Sequence, residues 1–237
     1  MRILLLALAF LVPAFAPAAE EGGLVAPWRA GQHYGELPVG VTHGEDGVVV
    51  TEFFSYACIH CFNFEPELER WAEEQPGDVV FERVHIVANR FTQLLAAAYA
   101  AADACDVLET THTPFFRALH LERRRFTSME QIADFYVETL DEAGVESDCA
   151  DRDKLLATFE SFGVRSMVSN FQSRSNTYLA GRDSAGVTGT PAMIVDGRWY
   201  TQGSMAGTNE AMLEVVDHLV RRARTAVEAG GGETAGP

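Results

Sequence analysis

The pair Cys58 and Cys61, set four residues after a run of β-branched and aromatic residues, constrains this chain more than any other feature. Val48-Val49-Val50-Thr51-Glu52-Phe53-Phe54, bounded upstream by Gly44 and Gly47, has the composition of a buried central strand. Beyond the pair, Phe64, Leu68 and Trp71 recur at helical spacing, so a helix begins near Cys58 and buries one face. Pro66 falls inside that helix and removes one backbone donor, which predicts a kink. Two cysteines at such a strand-to-helix handover form a reactive dithiol. The first sulfur lies at the helix N-terminus, where unpaired N–H groups and the helix dipole favour a thiolate. His60, between the cysteines, supplies a further donor or positive charge. Such surroundings take a cysteine pKa from about 8.5 to about 3.5–7, and a thiolate that forms easily is a good leaving group in disulfide exchange. The spacing by itself leaves open a structural disulfide, or half of a zinc site completed by Cys105 and Cys149, which lack the second close pair usual in such sites.

The N-terminus reads as an export signal over residues 1–19. A basic start, Met1-Arg2, leads into an apolar run from Ile3 to Val12, then Pro13 and small residues at Ala14, Ala16, Ala18 and Ala19. The run is shorter than the roughly 20 residues a spanning helix needs. The expectation is a periplasmic, monomeric protein in an oxidising compartment, where disulfides persist. A formal charge of −16 over 237 residues excludes the basic footprint that nucleic acid requires.

Further along, Val79 to Val87 reads as a second strand after the turn Pro76-Gly77-Asp78. From Phe91 the pattern turns helical, with helices over Leu94–Cys105, Met129–Ala143 and Arg152–Tyr178; Gly144 is a stop signal and Thr127 or Ser128 a cap. Strands return at Ala192–Val195 and Arg198–Tyr200 around the hairpin signal Asp196-Gly197. A last helix from Thr208 carries Met212, Val215, Val216 and Leu219 on one face. Gly189-Thr190-Pro191-Ala192 places a proline just before a strand, where it is normally unwelcome. A cis Thr190–Pro191 bond explains it and exposes the Thr190 backbone to an extended substrate chain; an ordinary trans proline at a strand start is the alternative.

Phe53-Phe54-Ser55-Tyr56-Ala57-Cys58-Ile59-His60-Cys61, followed by Phe64-Glu65, resembles the active-site segment of the DsbA family of bacterial disulfide oxidoreductases. Gly31-Gln32-His33-Tyr34 with Leu37 resembles the family's lead-in, and Gly186 to Met193 its cis-proline segment. The resemblance implies an α/β thioredoxin fold with an inserted all-helical domain. Residues 28–90 then form the first part of the thioredoxin-like domain, 91–163 the insertion, 164–228 the second part, and 229–237 a disordered tail. It implies Cys58 as nucleophile, Cys61 as its buried partner, His60 as the stabiliser of the thiolate and Pro191 as the cis proline facing the disulfide. It also implies that the redox-active disulfide replaces any cofactor, that the partners are reduced, unfolded exported proteins or peptides, and that a membrane DsbB-type, quinone-linked protein reoxidises the pair. Ile59 stands where the family usually has proline, and Thr190 where it usually has valine; both face the sulfurs.

Glu52 resembles the family's buried acid beneath the pair, a proton relay for Cys61. Its other reading is a strand-edge carboxylate facing water. No lysine is placed to pair with it, which leaves Arg83 or His85. Cys105 and Cys149 are an even pair in the helical block, either bonded or two buried thiols. His33, His43, His85, His112, His120 and His218 show no metal-ligand spacing and read as structural or exposed. Arg123-Arg124-Arg125 is a basic run on an acidic chain, a solvated helix end or a docking element. Beside the oxidase stand a reductase or isomerase on the same fold and, from another class, a soft-metal-binding module using the dithiol.

Overall fold

The computed structural model describes residues 28–37, 47–179 and 187–231. The expected signal over 1–19 and His43 lie outside them. Five strands form one sheet in the order β1-β5-β4-β2-β3. The central strand β2 (Val48–Phe54) runs parallel to β3 (Val79–His85) and antiparallel to β4 (Ala192–Val195). β4 pairs with β5 (Trp199–Gln202), which pairs with the two-residue β1 (Gly35–Glu36). The β4–β5 turn has φ 56 at Asp196 and φ 60 at Gly197, the two positive values a tight I′ turn needs. A Cβ at Gly35 would lie 2.2 Å from the Tyr200 ring, so any side chain there displaces that ring.

β2 is buried on both faces because helices cover both. The helix α1 (Ile59–Glu73) and the long C-terminal helix α8 (Asn209–Gly231) pack against one face. There Val48 and Val50 meet Phe64, Leu68, Met212, Val215, Val216 and Leu219. A second, larger core joins Phe53 and Phe54 to a helical layer. That layer comprises α2 (Arg90–Ala104), α3 (Leu108–His120), α4 (Met129–Ala143), α5 (Arg152–Phe159) and α6 (Phe162–Leu179). A short helix α7 (Gly203–Ala206) precedes α8. Among the described residues no helix is long and apolar enough to cross a membrane.

Several boundaries differ from the sequence expectation, for identifiable reasons. α2 begins at Arg90 rather than Leu94 because Asn89 and Thr92 form a reciprocal capping box. α3 was absent from the expected helices. Its Thr-Thr-His-Thr-Pro stretch is poor helix-forming sequence, and burial of Phe115, Phe116 and Ala118 overrides that propensity. The expected helix over 152–178 is two helices, because Ser161 Oγ accepts from Val164 N and starts a new one. β3 stops at His85, two residues short of Val87, and β5 is displaced to Trp199–Gln202. α1 continues from Ile59 to Glu73 through Pro66. Ser128, not Thr127, caps α4, and Gly144 ends it in the left-handed region. α8 extends to Gly231, so the tail expected over 229–237 begins as helix; residues 232–237 lie outside the described ones.

Cys105 and Cys149 are joined by a disulfide, with Cα atoms 5.9 Å apart and a sequence separation of 44. It ties the end of α2 to the turn Asp148–Ala150 before α5.

Candidate active site

The strand-to-helix handover places Cys58 as the N-cap of α1, with its sulfur accepting from Cys61 N at 3.3 Å. Ser55 shapes the approach: its carbonyl accepts from Cys58 N at 2.9 Å and its hydroxyl from Ala57 N at 3.2 Å. Cys58 is partly exposed and Cys61 fully buried, both as free thiols. The Thr190–Pro191 bond is cis. It brings Thr190 O to 3.3 Å from Cys58 Sγ, where the carbonyl accepts from the thiol form. Gln202 holds this segment, accepting from Thr188 N at 3.1 Å.

These contacts split the two thiols. Cys58 falls from 9.0 to about 5, chiefly through the hydrogen bond donated by Cys61. Burial opposes this, and the Thr190 side chain with the N–H groups of Cys61 and His60 lowers it further. Cys61 is pushed well above 9.0 by burial first, then by its hydrogen bond to Cys58 and by Glu52. His60 therefore acts on the sulfur through its main-chain N–H; its side chain is exposed. Ile59 is 44% exposed at the rim of the pair.

Glu52 is fully buried on the central strand, so the reading as a water-facing carboxylate does not hold. β2–β3 register sets it opposite Arg83, whose Nε lies 3.3 Å from Glu52 Oε2. The two side chains are in close contact, but among the described residues neither Glu52 oxygen accepts a well-aligned hydrogen bond. Burial, followed by repulsion from Glu65, raises Glu52 to about 8 against the pull of Arg83. Glu52 is therefore mostly protonated at neutral pH, and its charge, when present, raises Cys61.

Arg83 also bonds Glu65 Oε1 at 2.5 Å, and His112 Nε2 lies 3.2 Å from the same oxygen. Burial raises Glu65, but His112 and Arg83 outweigh it and leave the carboxylate below its usual range. His112 Nδ1 is 2.7 Å from Tyr56 Oη, which links the α1 carboxylate to the residue two before Cys58. Two other histidines fix the Tyr56 backbone. His85 Nε2 accepts from Tyr56 N at 3.1 Å, so its Nδ1–H donates to Ile86 O at 2.8 Å; burial lowers this histidine to about 3. His120 donates to Tyr56 O at 2.8 Å and stacks on Phe62. Of the two candidates to pair with Glu52, Arg83 does and His85 does not.

Tyr56 and Glu65 carry no role of their own in the sequence reading, and His112 reads only as structural or exposed; the structure places it buried and bonded. A signal existed for two of them. Cys61, Phe64, Glu65 and Leu68 form one inward stripe of α1, and His112, Phe115 and Phe116 one inward stripe of α3. A charged or titratable residue on such a stripe is buried and must find a partner. His33 and His218 lie apart from the site, against the Arg29 backbone and the Tyr34 ring.

The zinc alternative is removed by the Cys105–Cys149 bond, which consumes both proposed further ligands. Among the described residues no group of three or more His, Cys, Asp or Glu side chains is placed to hold a metal ion.

A dithiol at the N-terminus of a helix, faced by a cis-proline segment on a mixed sheet, defines a thioredoxin-fold thiol oxidoreductase. A family model described as thioredoxin matches residues 43–218. The thiol:disulfide interchange protein DsbA of Bordetella pertussis is 32% identical over 89% of this chain and 90% of that protein. DsbA of Pseudomonas aeruginosa is 28% identical over 96% of this chain and 99% of its own. The crystal structure of Pseudomonas aeruginosa DsbA superimposes with a TM-score of 0.74, covering 86% of this chain and 98% of that one at 28% identity. The chain belongs to the DsbA family and is a thiol:disulfide oxidoreductase whose redox group is its own cysteine pair.

Proposed function

We propose that the protein works in the periplasm as a monomeric dithiol oxidase that donates a Cys58–Cys61 disulfide to reduced, unfolded exported proteins. The observation that carries this reading is the split between the thiols, about 5 for Cys58 and well above 9.0 for Cys61. A substrate thiolate attacks Cys58 Sγ, the Cys58–Cys61 bond breaks, and Cys61 leaves with its electron pair. Glu52, protonated near neutrality, is the nearby acid that supplies the proton Cys61 then takes up. A second substrate thiolate attacks the substrate sulfur of the mixed disulfide, and Cys58 leaves as the stable thiolate. The substrate has lost two electrons and the enzyme has gained them. Stabilising the leaving thiolate drives the exchange toward donation. A membrane quinone-linked protein of the DsbB type fits the need for an electron acceptor that regenerates the disulfide. Cys58, Cys61, Glu52, Thr190 and Pro191 are the residues assigned to the chemistry, with His60 in a backbone role. The inserted helical domain is assigned to 91–163 between thioredoxin-like segments 28–90 and 164–228.

Equilibration with glutathione buffers separates the oxidase from the reductase. The oxidase reading requires a potential near about −120 mV, as for strongly oxidising dithiols; a value near about −270 mV belongs to a reductant and overturns it. Oxidised protein should also convert a reduced, unfolded protein to its disulfide form in stoichiometric amounts.

A further inference from the structure

A cleft of about 980 Å³ opens beside the reactive pair, between the start of α2, the end of α3 and the start of α4. Its floor is apolar, with Leu94, Leu119 and Met129 partly exposed and Phe91 43% exposed at its edge. Its rim carries Arg90, Arg123, Arg124 and Arg125. Arg124 is engaged: its guanidinium lies 4.7 Å from the Phe135 ring centroid and 3.7 Å from Glu138. Arg90, Arg123 and Arg125 are exposed, and among the described residues none of the three has a carboxylate partner. Ala57, the residue before Cys58, lines the same cleft, as does His120, which holds the Tyr56 backbone.

On a chain of net charge −16, three exposed arginines that lack a carboxylate partner among the described residues are gathered around one apolar floor, and together they call for a complement. The net charge of the chain disfavours an acidic segment, whereas this rim attracts one over the roughly 8 Å that salt leaves unscreened. The floor accepts a bulky apolar side chain, as the middle of a small binding cleft commonly does. We propose that the cleft is a client-docking site, taking a segment with a bulky apolar residue flanked by carboxylates next to the cysteine that meets Cys58. The inference rests on the reading of this protein as an oxidant of unfolded proteins, and extends it to which segments are oxidised fastest.

Binding is read first without any thiol chemistry. Two fluorescein-labelled, cysteine-free peptides, one with a central Phe flanked by Glu and one by Gln, are titrated with the full protein and followed by anisotropy. The Glu-flanked peptide should bind about fivefold tighter at low salt, the scale of a few exposed charge pairs, and lose that advantage at high salt. The R123Q/R125Q variant should bind both alike, and R123E/R125E should instead prefer a Lys-flanked peptide. Both positions are exposed, so unchanged melting temperatures verify folding. Equal binding to the wild-type protein, or a preference that survives R123Q/R125Q, overturns the site. The same peptides with one cysteine beside the Phe then read exchange with the oxidised protein. The Glu-flanked peptide should react about fivefold faster, R123Q/R125Q should erase the difference, and oxidation of dithiothreitol should be unchanged. Preferential binding with no preference in rate overturns the placement beside Cys58. Preferential binding with no oxidation of peptide or dithiothreitol leaves the docking site standing and overturns the oxidase reading.

Discussion

The stability gap between the reduced and oxidised proteins should depend steeply on pH, because only the reduced form carries the ionisable Cys58. Its folded pKa of about 5 lies below the ordinary 9.0. A depressed acid stabilises the folded state fully above its unfolded pKa, and the contribution disappears as pH falls through about 5. Between those limits the slope is about 1.36 kcal/mol per pH unit, giving about 2.7 kcal/mol at pH 7. Partial exposure of Cys58 trims this to about 2 kcal/mol through solvent screening. The oxidised form forgoes that gain but closes a four-residue loop in the unfolded chain, worth about 2 kcal/mol. Glu52 changes the comparison little, since burial and Glu65 raise it in both forms and Cys58 is the smallest of its causes. The two forms should therefore melt at similar temperatures near pH 7. The oxidised form should lead by about 2 kcal/mol at pH 5, and the reduced form by about 1–2 kcal/mol at pH 8.5. At about 2–4 °C per kcal/mol, the difference in melting temperature should swing by about 6–16 °C across that range. Calorimetry of both forms at the three pH values measures it, with mass spectrometry verifying that Cys105–Cys149 stays bonded. A gap that does not change with pH, or that favours the oxidised form increasingly as pH rises, refutes the assignment of a depressed Cys58.

Alkylation of the reduced protein by iodoacetamide should label Cys58 with a midpoint near pH 5 and leave Cys61 unlabelled; a midpoint near 9, or equal labelling, contradicts the split. Glu52→Gln should slow the release or attack of Cys61 about a hundredfold, the lower end of general acid–base effects, while hardly moving the Cys58 midpoint; stopped-flow resolution of a mixed disulfide reads this, and an unchanged rate removes Glu52 from the proton path. Arg83→Leu should strand the buried Glu65 carboxylate and cost about 3–5 kcal/mol in chemical denaturation at neutral pH, with partial recovery when Glu65→Gln is added; a loss under about 1 kcal/mol would mean that Arg83 does not hold it. Replacing both Cys105 and Cys149 by Ala should cost about 4 kcal/mol for a loop of this length and leave the rate of disulfide transfer unchanged; a parallel fall in rate would give that bond a part in the chemistry.

Local chemistry determined the reactive part of this molecule. The apolar run Val48–Phe54, the helical stripe after it and Cys58 between them fix a thiol at a helix start, because strand, cap and dipole are all properties of neighbouring residues. Asp196-Gly197, Gly144 and Ser128 likewise act where they stand, through backbone conformations that those residue types favour. α3 was not legible, since Pro114 and a threonine-rich stretch argue against helix and only the burial of Phe115 and Phe116 makes one. The environment of the second thiol was not legible either. Glu52 could be called buried or exposed until a neighbour was known on each side of its strand. Its partner Arg83 follows from β2–β3 register, a pairing 31 residues apart in sequence. Glu65, His112 and Tyr56 come from α1, α3 and the loop before Cys58, and meet only because the helical layer closes over the sheet. The sequence by itself determined which thiol stands at the helix start and why it ionises. Only the tertiary structure decided how far each thiol is shifted, because desolvation and charge pairing depend on groups that the chain brings together from distant positions.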